Sequence, residues 1–450
     1  MNHTFRGGVH PKEQKRLSTS APLRICEPRG EIVLPLAQHI GAPAIPVVKK
    51  NDSVLVGQVI GKADGFVSAN VISSCSGKVK AVEKRRVFFG YLSECVVIDN
   101  DGLFTPVADL GKQEADTASL SNEEILSRIQ TAGVIGLGGV GYPTHVKLQP
   151  PDPSAIRFVI ANGSECEPYL TCNDLLMQTE PQAIVDGLRF LLRLFPNARG
   201  IIAIEDNKPQ AISALQAASD GIENIQVVSL RTKYPQGSEH NLIQAITGIT
   251  YPVAQHPADV GCLVDNVGTL YAIERAVAHN QPLYSHILTV SGDAVQEPGN
   301  LLVRDGTNLA EVVAFCGGLK RGKTLKKVIS GGPMMGLSLS SLDIPLQKTT
   351  NGLLLLSEDP SERAQKQQTA CLHCGRCARV CPMGLLPQLL AEAAEAGDYQ
   401  RYEQKLYGLE CISCGSCTYI CPAKRPLMQL FKRTKAEIRA LRRASQMGGD

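Results

Sequence analysis

Eight of the fifteen cysteines fall in two short runs near the C-terminus, and their spacing is typical of iron–sulfur ligands. The first run is Cys371-Leu-His-Cys374-Gly-Arg-Cys377-Ala-Arg-Val-Cys381-Pro382, and a second run of the same form ends at Cys421-Pro422. Both follow C-x2-C-x2-C-x3-C-P, the pattern of bacterial two-cluster ferredoxins. Three closely spaced thiolates let one loop wrap a cuboidal cluster, and the glycine after the second cysteine permits close backbone approach. The runs therefore predict iron–sulfur centres.

In this pattern the fourth cysteine of each run ligates the cluster of the other run. Structural zinc is the alternative, but zinc sites normally pair a C-x2-C with a distant second pair instead of placing four cysteines within eleven residues. Two adjacent clusters have one common use, which is the movement of single electrons. We predict two [4Fe–4S] centres with crossed ligand sets: Cys371, Cys374, Cys377 and Cys421 for the first, and Cys411, Cys414, Cys417 and Cys381 for the second.

A glycine-rich loop is the second candidate site. Gly136-Leu-Gly138-Gly139-Val-Gly141 satisfies G-x-G-x-x-G, but a predicted helix precedes it where the dinucleotide-binding fingerprint requires a strand. Closely spaced backbone N–H groups without Cβ atoms still suit a phosphate, and Lys147 follows as a possible cation. A purely structural turn is the alternative.

Three polar loops follow predicted strands or precede predicted helices, at residues 162–168, 234–239 and 265–269. Loops at the carboxyl ends of strands are where α/β sheets bind ligands. Taken one at a time, each loop is also explained by turn chemistry or by a solvated loop. No Ser, Cys and His arrangement in them indicates a nucleophile, so we predict no catalytic side chain.

The composition indicates a globular chain of several domains. It has 450 residues, 43% of them hydrophobic, and a formal net charge of +3, which suits about three domains with sizeable cores. Such values argue against a disordered or strongly nucleic-acid-binding chain. No apolar run approaches the roughly 20 residues that span a bilayer, and the N-terminus lacks the apolar stretch of a signal peptide. We therefore expect a cytoplasmic chain.

The pattern of short apolar runs divides the chain into six segments. A capping box at 121–124 predicts a helix to about residue 131, and strand-like segments then alternate with helix-like ones. Within this part we predict strands at 157–161, 200–204 and 225–230 and helices at 181–194, 208–218, 239–247 and 268–279. The segments are an extended arm (1–30), a small all-β unit (31–100), an α/β domain (120–280), a second small β unit (285–345) with a helix at 308–316, a cysteine-rich helical domain (366–430) and a basic tail (431–450). The basic residues of the tail are read first as a solvated helix end, with docking onto anionic headgroups or an acidic partner as the alternative.

Several motifs resemble a known family. Segments 138–144, 165–168, 234–239 and 266–269 resemble, in the same order, the flavin-binding loops of the NADH-oxidising subunit of respiratory complex I. The opening Phe5-Arg-Gly-Gly-Val-His-Pro11 and the paired cysteine runs narrow the resemblance to one family. Nearly the whole chain resembles the RnfC family, the C subunits of Rnf-type ion-translocating electron transport complexes.

The resemblance implies a multidomain α/β architecture and a set of cofactor contacts. In chain order it implies a lipoyl/biotinyl-like β unit, an α/β FMN- and NADH-binding domain, a soluble-ligand-binding β-grasp unit and a C-terminal α-helical two-cluster ferredoxin domain. Glu167 is implied as a contact of the nicotinamide nucleotide. The contacts implied for non-covalent FMN are Gly136, Gly138, Gly139, Gly141, Lys147, Asn162, Glu165, Glu239, Asn266 and Thr269.

The function that this resemblance implies is electron transfer between NAD(H), FMN and two [4Fe–4S] clusters. The chain would be a peripheral subunit on the cytoplasmic side of the inner membrane, in a translocase that couples ferredoxin:NAD⁺ oxidoreduction to Na⁺ or H⁺ movement. Ferredoxin would be the upstream donor, and integral-membrane and peripheral partner subunits would complete the complex. The alternatives are a soluble diaphorase module of a hydrogenase or bifurcating enzyme, and a conduit that has clusters but no flavin.

Overall fold

The computed structural model describes residues 3–114 and 116–447. Residues 31–100 fold into the expected all-β unit, in which two antiparallel sheets, β2-β8-β7-β4 and β3-β5-β6, enclose an apolar core. Short β-branched runs with alternating burial form its strands. The strands of the N-terminal part are β1 (Arg24–Cys26), β2 (Ile32–Pro35), β3 (Ile45–Pro46), β4 (Ser53–Val54), β5 (Val59–Lys62), β6 (Val71–Ile72), β7 (Gly77–Arg86) and β8 (Leu92–Asn100).

The α/β domain contains a four-stranded parallel sheet with the order β11-β10-β9-β12. The predicted capping box is confirmed, since the Ser121 hydroxyl accepts a hydrogen bond from the Glu124 N–H and the Glu124 carboxylate accepts one from the Ser121 N–H. Its elements are α1 (Asn122–Thr131), α2 (Thr144–Lys147), β9 (Phe158–Gly163), α3 (Cys172–Thr179), α4 (Pro181–Leu194), β10 (Arg199–Glu205), α5 (Pro209–Ala218), β11 (Ile225–Leu230), α6 (Glu239–Thr247), β12 (Cys262–Asn266) and α7 (Val267–His279).

The strand order of this sheet creates a topological switch point. The chain runs outward from β9 through β10 to β11, and β12 then pairs with the opposite edge of β9. Asn162 at the end of β9 lies in register with Asn266 at the end of β12. In open α/β sheets, ligands bind outside the carboxyl ends of the strands at such a point. The sheet therefore brings two of the predicted loops together.

The second β unit is a six-stranded mixed sheet with the order β1-β14-β13-β17-β15-β16. It extends beyond the predicted segment 285–345 at both ends, because β1 comes from the N-terminal arm and β17 follows residue 345. All five residues of β17 are buried, so this apolar run forms an interior strand of the sheet. The further elements are β13 (Ser285–Ser291), β14 (Gly299–Arg304), α8 (Leu309–Phe315), β15 (Lys327–Ser330), β16 (Leu337–Leu339) and β17 (Gly352–Leu356).

The N-terminal arm is extended and packs against several units. Phe5 and Val9 are each 4% exposed, and Val9 makes an isolated β-bridge with Tyr234 of the α/β domain. The Gly8 N–H donates a hydrogen bond of 2.8 Å to the carbonyl of Val380 in the C-terminal domain. The arm therefore joins the α/β domain to the cysteine-rich domain.

The cysteine-rich domain is helical, as expected. The basic segment belongs to a continuous helix whose Leu427, Phe431 and Ile438 lie in the domain's core, and residues 448–450 of the predicted tail lie outside the described residues. In the part of the chain that the structure describes, none of the helices combines the length and the apolar character needed to cross a bilayer. The helices are α9 (Pro360–Lys366), α10 (Arg376–Val380), α11 (Pro387–Glu395), α12 (Ser416–Ile420) and α13 (Leu427–Met447).

Candidate cofactor sites

The eight clustered cysteines surround two cavities in the crossed arrangement that the sequence pattern predicts. The outer cavity is lined by Cys371, Cys374, Cys377 and Cys421. The inner cavity is lined by Cys381, Cys411, Cys414 and Cys417. Each cavity therefore takes three cysteines from one run and the last cysteine from the other.

The local backbone explains how each loop wraps its cavity. Gly375 and Gly415 precede α10 and α12 and adopt left-handed conformations with φ of 70° and 79°. This conformation is accessible to glycine without a steric penalty, and it turns each helix away from the cysteine loop. The two halves of the domain therefore repeat the same loop–helix geometry.

The arrangement of the thiols fits a polynuclear cluster. Among residues 3–114 and 116–447, no three His, Cys, Asp or Glu side chains are placed to hold one metal ion. The four cysteines of each set line one cavity, as the ligands of a cluster with its own inorganic core do. The donor set contains only thiolates, which iron–sulfur clusters prefer.

The two cavities differ in their distance from solvent. Cys414 of the inner cavity is buried and packs with Val9, Tyr234 and Cys166, which belong to the arm and the α/β domain. The Tyr234 hydroxyl donates a hydrogen bond of 2.6 Å to the Cys414 carbonyl. Cys374 of the outer cavity is exposed. The inner cavity therefore adjoins the α/β domain, and the outer cavity lies at the surface.

One residue at the inner cavity carries no signal in the sequence. The Lys435 ammonium donates hydrogen bonds to the Cys411 carbonyl at 2.7 Å and to the Ser413 hydroxyl at 2.9 Å. Lys435 lies on α13, within the basic segment that we expected to be solvated or to dock on a partner. At least this lysine instead holds the second cysteine loop in place.

The glycine loop projects between α1 and α2 and is closed by a β-bridge between Ile135 and Pro143. The Leu137 N–H donates to the Thr269 hydroxyl at 3.0 Å, which fixes the loop beside the N-terminus of α7. The next three N–H groups, at 138–140, have no hydrogen-bond partner among the described residues. A Cβ at Gly138 would have only the Asn266 Cβ within 4 Å, at 3.7 Å, and a Cβ at Gly139 would meet nothing. Free donors beside open space and a helix N-terminus fit a phosphate.

The other two glycines of the loop shape the protein itself. The Gly136 N–H donates to the Tyr142 carbonyl at 2.8 Å, and the Gly141 N–H donates to the Gly136 carbonyl at 3.2 Å. Gly141 has φ of 73°, and a Cβ there would lie 2.7 Å from the Thr349 methyl group. Their predicted contacts with the flavin stay predictions.

Lys147 lies behind the loop in a cluster of charges. Its ammonium donates to the Val264 carbonyl at 2.6 Å and to the Asp265 carboxylate at 3.1 Å. Burial alone would lower the pKa of Lys147, but the Asp265 and Glu239 carboxylates outweigh burial and raise it. Burial raises the pKa of Glu239, although Lys147 opposes this effect. The structure thus brings together Lys147 and Glu239, both predicted, with Asp265, whose pairing with Lys147 we did not foresee.

Buried polar atoms without partners lie at the same edge of the sheet. The Asn162 amide donates to the Gly237 carbonyl at 2.9 Å, which joins the end of β9 to the 234–239 loop. Around this junction the Ser164 hydroxyl and both ends of the Gln236 amide are buried without a hydrogen-bond partner among the described residues. One carboxylate oxygen of Asp265 is also buried without a hydrogen-bond partner among the described residues. Unpaired buried polar groups are costly, and a polar ligand at the switch point would satisfy them.

The two predicted glutamates of the 162–168 loop are engaged within the protein. Glu165 accepts hydrogen bonds from the N–H groups of Asn173 at 2.7 Å and Asp174 at 3.3 Å, at the start of α3. Glu167 accepts from Met334 at 3.0 Å and Met335 at 2.8 Å in the β-grasp unit. Burial raises the pKa of Glu167 to about 7. Their contacts with flavin and nicotinamide nucleotide stay predictions, and the structure adds a positioning role for each.

Two lysines, the half-buried Lys15 and the buried Lys208, bond to the same loop. The Lys15 ammonium donates to the carbonyls of Glu165 at 2.9 Å and Glu167 at 3.1 Å, and it also bonds Leu170. The Lys208 ammonium donates to the Ser164 carbonyl at 2.7 Å and pairs with Glu205 at 3.0 Å. Lys15 could not be singled out in advance, because it lies in a basic, proline-rich arm with no visible pattern.

Asn266 and Thr269 occupy the N-terminus of α7. The Asn266 side chain caps the helix by accepting a hydrogen bond of 2.8 Å from the Gly268 N–H. A cleft of about 290 Å³ opens beside them between α3, α7 and β13, and Leu137 and Asn266 lie on its wall. The switch point therefore offers space for a nucleotide-sized ligand next to the free N–H groups of the loop.

Four family models match consecutive parts of the chain. The RnfC barrel sandwich hybrid domain matches residues 3–103, and the Nuo51 FMN-binding domain matches residues 129–275. The SLBB domain matches residues 287–338, and a 4Fe-4S dicluster domain matches residues 363–422. The cofactors of the chain are therefore FMN and two [4Fe–4S] clusters.

Similar proteins from several bacteria match along almost the entire chain. The C subunit of the proton-translocating ferredoxin:NAD(+) oxidoreductase complex of Clostridium ljungdahlii is 42% identical, over 98% of this chain and 95% of the relative. Its Na(+)-translocating counterpart of Acetobacterium woodii is 41% identical over 98% of each chain. The C subunit of the ion-translocating oxidoreductase complex of one Haemophilus influenzae strain is 37% identical over 96% of this chain and 66% of the relative.

Among solved structures, an NAD⁺-reducing [NiFe]-hydrogenase in the H2-reduced state shares the fold. The two chains superpose with a TM-score of 0.50 at 22% sequence identity, over 74% of this chain and 68% of the hydrogenase chain. This likeness concerns the fold alone. On the sequence relationships above, the chain belongs to the RnfC family, the C subunits of ion-translocating oxidoreductase complexes.

Proposed function

We propose that this chain passes electrons between NAD(H), FMN and two [4Fe–4S] clusters, as a peripheral subunit of a membrane-bound ferredoxin:NAD⁺ oxidoreductase that translocates Na⁺ or H⁺. One observation carries the proposal. The inner cysteine cavity packs through Cys414 against Tyr234 and Cys166, which border the switch point of the flavin-binding domain. A nucleotide site and a cluster site are therefore joined inside one protein.

The proposed ligands follow the crossed cavities. Cys371, Cys374, Cys377 and Cys421 hold the outer cluster, and Cys381, Cys411, Cys414 and Cys417 hold the inner one. The free N–H groups at 138–140 and the N-terminus of α7 hold the FMN phosphate. Bound FMN supplies the exchange between a two-electron hydride and single electrons. The protein positions it through the Asn162 and Asn266 loops and keeps Lys147 charged through Asp265 and Glu239.

We propose the assembly of the complex by analogy with the relatives. The names of the Clostridium ljungdahlii and Acetobacterium woodii relatives describe complexes that move protons and Na⁺ with ferredoxin and NAD⁺ as substrates. By analogy, ferredoxin is the upstream donor, and integral-membrane partner subunits move the ion. The subunit then docks on these partners at the cytoplasmic face of the membrane.

Reduction of the pure chain by NADH tests the proposal. Under anaerobic conditions, NADH should bleach the visible flavin band and then produce reduced-cluster signals in electron paramagnetic resonance spectra. Reduced clusters that appear only with a chemical reductant, in a protein without FMN, would support the flavin-free conduit. Fractionation distinguishes the diaphorase alternative, because membrane association of this chain should be lost when genes for the partner subunits are deleted. Unchanged fractionation would contradict the membrane-bound assignment.

A further inference from the structure

We propose that the surface over the outer cavity is the docking site for an acidic protein that carries one electron at a time. We call it the outer face and define it by Leu372, Cys374, Arg376, Arg379 and Lys424. The inference rests on the proposed function and adds to it the surface and the kind of partner. In the electron-transfer step the carrier is oxidised by one electron, and the outer cluster is reduced by that electron.

Exposure is the first support for this surface. Cys374 lies in an exposed loop, and the adjacent Leu372 side chain is 62% exposed. Cys414 of the inner cavity is 7% exposed and covered by the arm and the α/β domain. Of the eight cysteines that line the two cavities, Cys374 is the exposed one, so the outer cavity is the better placed to exchange an electron with a partner. Leu372, which also lines the outer cavity, gives a partner an exposed apolar contact.

Charge is the second support. Residues 367–391 and 411–436, which contain both cysteine runs, include seven Lys and Arg and no Asp or Glu, whereas the whole chain has 46 basic and 43 acidic residues. Arg376 and Arg379 lie three residues apart on one face of α10, next to Cys377. Lys424 follows Pro422 and Ala423, which line the outer cavity. The basic residues at 376, 379 and 424 are exposed, and none of them forms an ion pair with a described residue.

Three of the other four basic residues of these segments have partners of their own. Arg425 pairs with Glu395, Arg433 pairs with Glu437, and Lys435 is bonded to the second cysteine loop. The three basic residues of the outer face, which we call the rim, are therefore exposed cations without an ion-pair partner among the described residues, and they lie in the same two cysteine segments as the exposed Leu372 and Cys374.

Such a rim steers a negatively charged partner and sets its orientation, and its effect falls as salt is added. An anionic lipid surface would also be attracted by the rim, but lipids do not exchange electrons with a cluster. A protein that exchanges electrons gains directly from that proximity, so we favour a protein carrier.

The test compares two triple variants of the full, cluster-loaded chain. Arg376→Glu, Arg379→Glu and Lys424→Glu together reverse the rim. Lys49→Glu, Lys50→Glu and Lys62→Glu together make the same change in net charge at exposed positions of the all-β unit. The probe is an oxidised, small, acidic [2Fe–2S] ferredoxin, and its Kd is measured by calorimetric titration at low and at high salt. Stopped-flow mixing with the reduced form then gives the rate at which it is reoxidised.

We expect the rim variant to weaken the Kd and to slow the reoxidation by at least tenfold, and the control variant to match the wild type. Added salt should weaken wild-type binding. The iron content and the outer-cluster spectrum must stay intact in both variants, and the corresponding Gln variants should give intermediate values. Failure of the wild type to bind the ferredoxin, equal losses in both variants or indifference to salt would overturn the proposal.

Two further readouts distinguish a membrane-binding surface and a failed flavin site from the proposed docking site. Loss of binding to phosphatidylserine vesicles in the rim variant, with an unchanged Kd for ferredoxin, would assign the outer face to the membrane and overturn the protein partner. Oxidation of NADH by a neutral quinone reports the flavin site and should be unaffected by either set of substitutions. If the wild type lacks that activity, the proposed function fails, whereas a normal activity with no rim effect contradicts only the docking surface.

Discussion

The Tyr234 hydroxyl donates a hydrogen bond of 2.6 Å to the carbonyl of Cys414, and both residues are buried where the α/β domain meets the inner cysteine cavity. Tyr234 lies three residues before Gly237, whose carbonyl accepts a hydrogen bond from Asn162 at the switch point. The same Gly237 donates its N–H to the Cys166 sulfur at 3.4 Å. A short, continuous set of bonds thus connects the flavin-binding edge of the sheet to a ligand loop of the inner cluster.

Tyr234→Phe should remove this link without changing the shape of the core. We expect a loss of about 1–3 kcal/mol in the free energy of unfolding, because the Cys414 carbonyl is left buried without its donor. We also expect a shift in the redox potential of the inner cluster, since hydrogen bonds around the ligands tune it. The measurement is a potentiometric titration followed by electron paramagnetic resonance.

The chain offers a matched control for that change. Tyr402 is also fully buried, lies beside Cys411 and Cys417, and its hydroxyl has no hydrogen-bond partner among the described residues. Tyr402→Phe should therefore leave stability unchanged or raise it, which separates the loss of a buried hydroxyl from the loss of the bond to Cys414. Equal effects of the two variants would show that the bond to Cys414 has no special role.

Cys421→Ala and Cys381→Ala test the crossed ligand sets. Because Cys421 lines the outer cavity, its loss should abolish the signal of the outer cluster and spare the inner one, although its neighbours in sequence line the inner cavity. Cys381→Ala should have the opposite effect. Iron analysis with electron paramagnetic resonance checks both. Loss of the cluster nearer in sequence in each case would refute the crossed assignment.

Gly138→Val tests the glycine loop. Gly138 has no positive φ, and a Cβ there meets only the Asn266 Cβ at an ordinary 3.7 Å, so the protein alone accommodates a Cβ atom at this position. A valine would occupy the space assigned to the ligand, and we expect flavin content to fall at least tenfold while both clusters remain. Gly141 is unsuitable for this purpose, because its positive φ and the nearby Thr349 make any substitution disruptive. Full flavin retention in Gly138→Val would contradict the phosphate site.

Glu167→Gln tests the charge buried beside Met334 and Met335. Burial raises the pKa of Glu167 from its ordinary value of 4.5 to about 7, so the folded chain holds this proton more tightly than the unfolded chain does. The stability that protonation contributes is complete below pH 4.5 and is lost as the pH rises towards 7. Glutamine does not titrate, so the stability of the wild type relative to the variant should fall by roughly 3 kcal/mol across that range. Thermal unfolding of both proteins at about pH 5 and about pH 8 checks this, and a gap that does not depend on pH would refute it.

The bounds of several helices and strands could be predicted from the spacing of apolar residues along the sequence. The strand Ile225–Leu230 and the helices Pro181–Leu194 and Glu239–Thr247 have the predicted bounds, because apolar periodicity and flanking turn residues mark them clearly. The helix Cys172–Thr179 was missed because its N-terminus is capped from a distance by Glu165 and not by a neighbouring residue. The strand Cys262–Asn266 was missed because it is a short apolar run directly before a helix, and so short a run does not show the alternation of apolar and polar residues that identifies a strand.

The cofactor sites also contain some features that the local sequence predicts and others that it does not. The two cysteine runs match the two-cluster ferredoxin pattern, and that pattern predicts which four cysteines line each cavity. Contacts between distant segments left no trace in the sequence. Lys15 reaches the 162–168 loop from the arm, and Lys435 reaches the second cysteine loop from α13. Such contacts depend on how whole units pack, which local patterns do not encode.

The most direct test of the central claim is the analysis of iron, acid-labile sulfide and flavin in the chain purified without oxygen. Two [4Fe–4S] clusters and one FMN predict about eight iron, about eight sulfide and one flavin per chain. We expect these values together with spectra of two clusters that interact magnetically. A protein that contains zinc, or that has clusters but no flavin after gentle purification, would contradict the account.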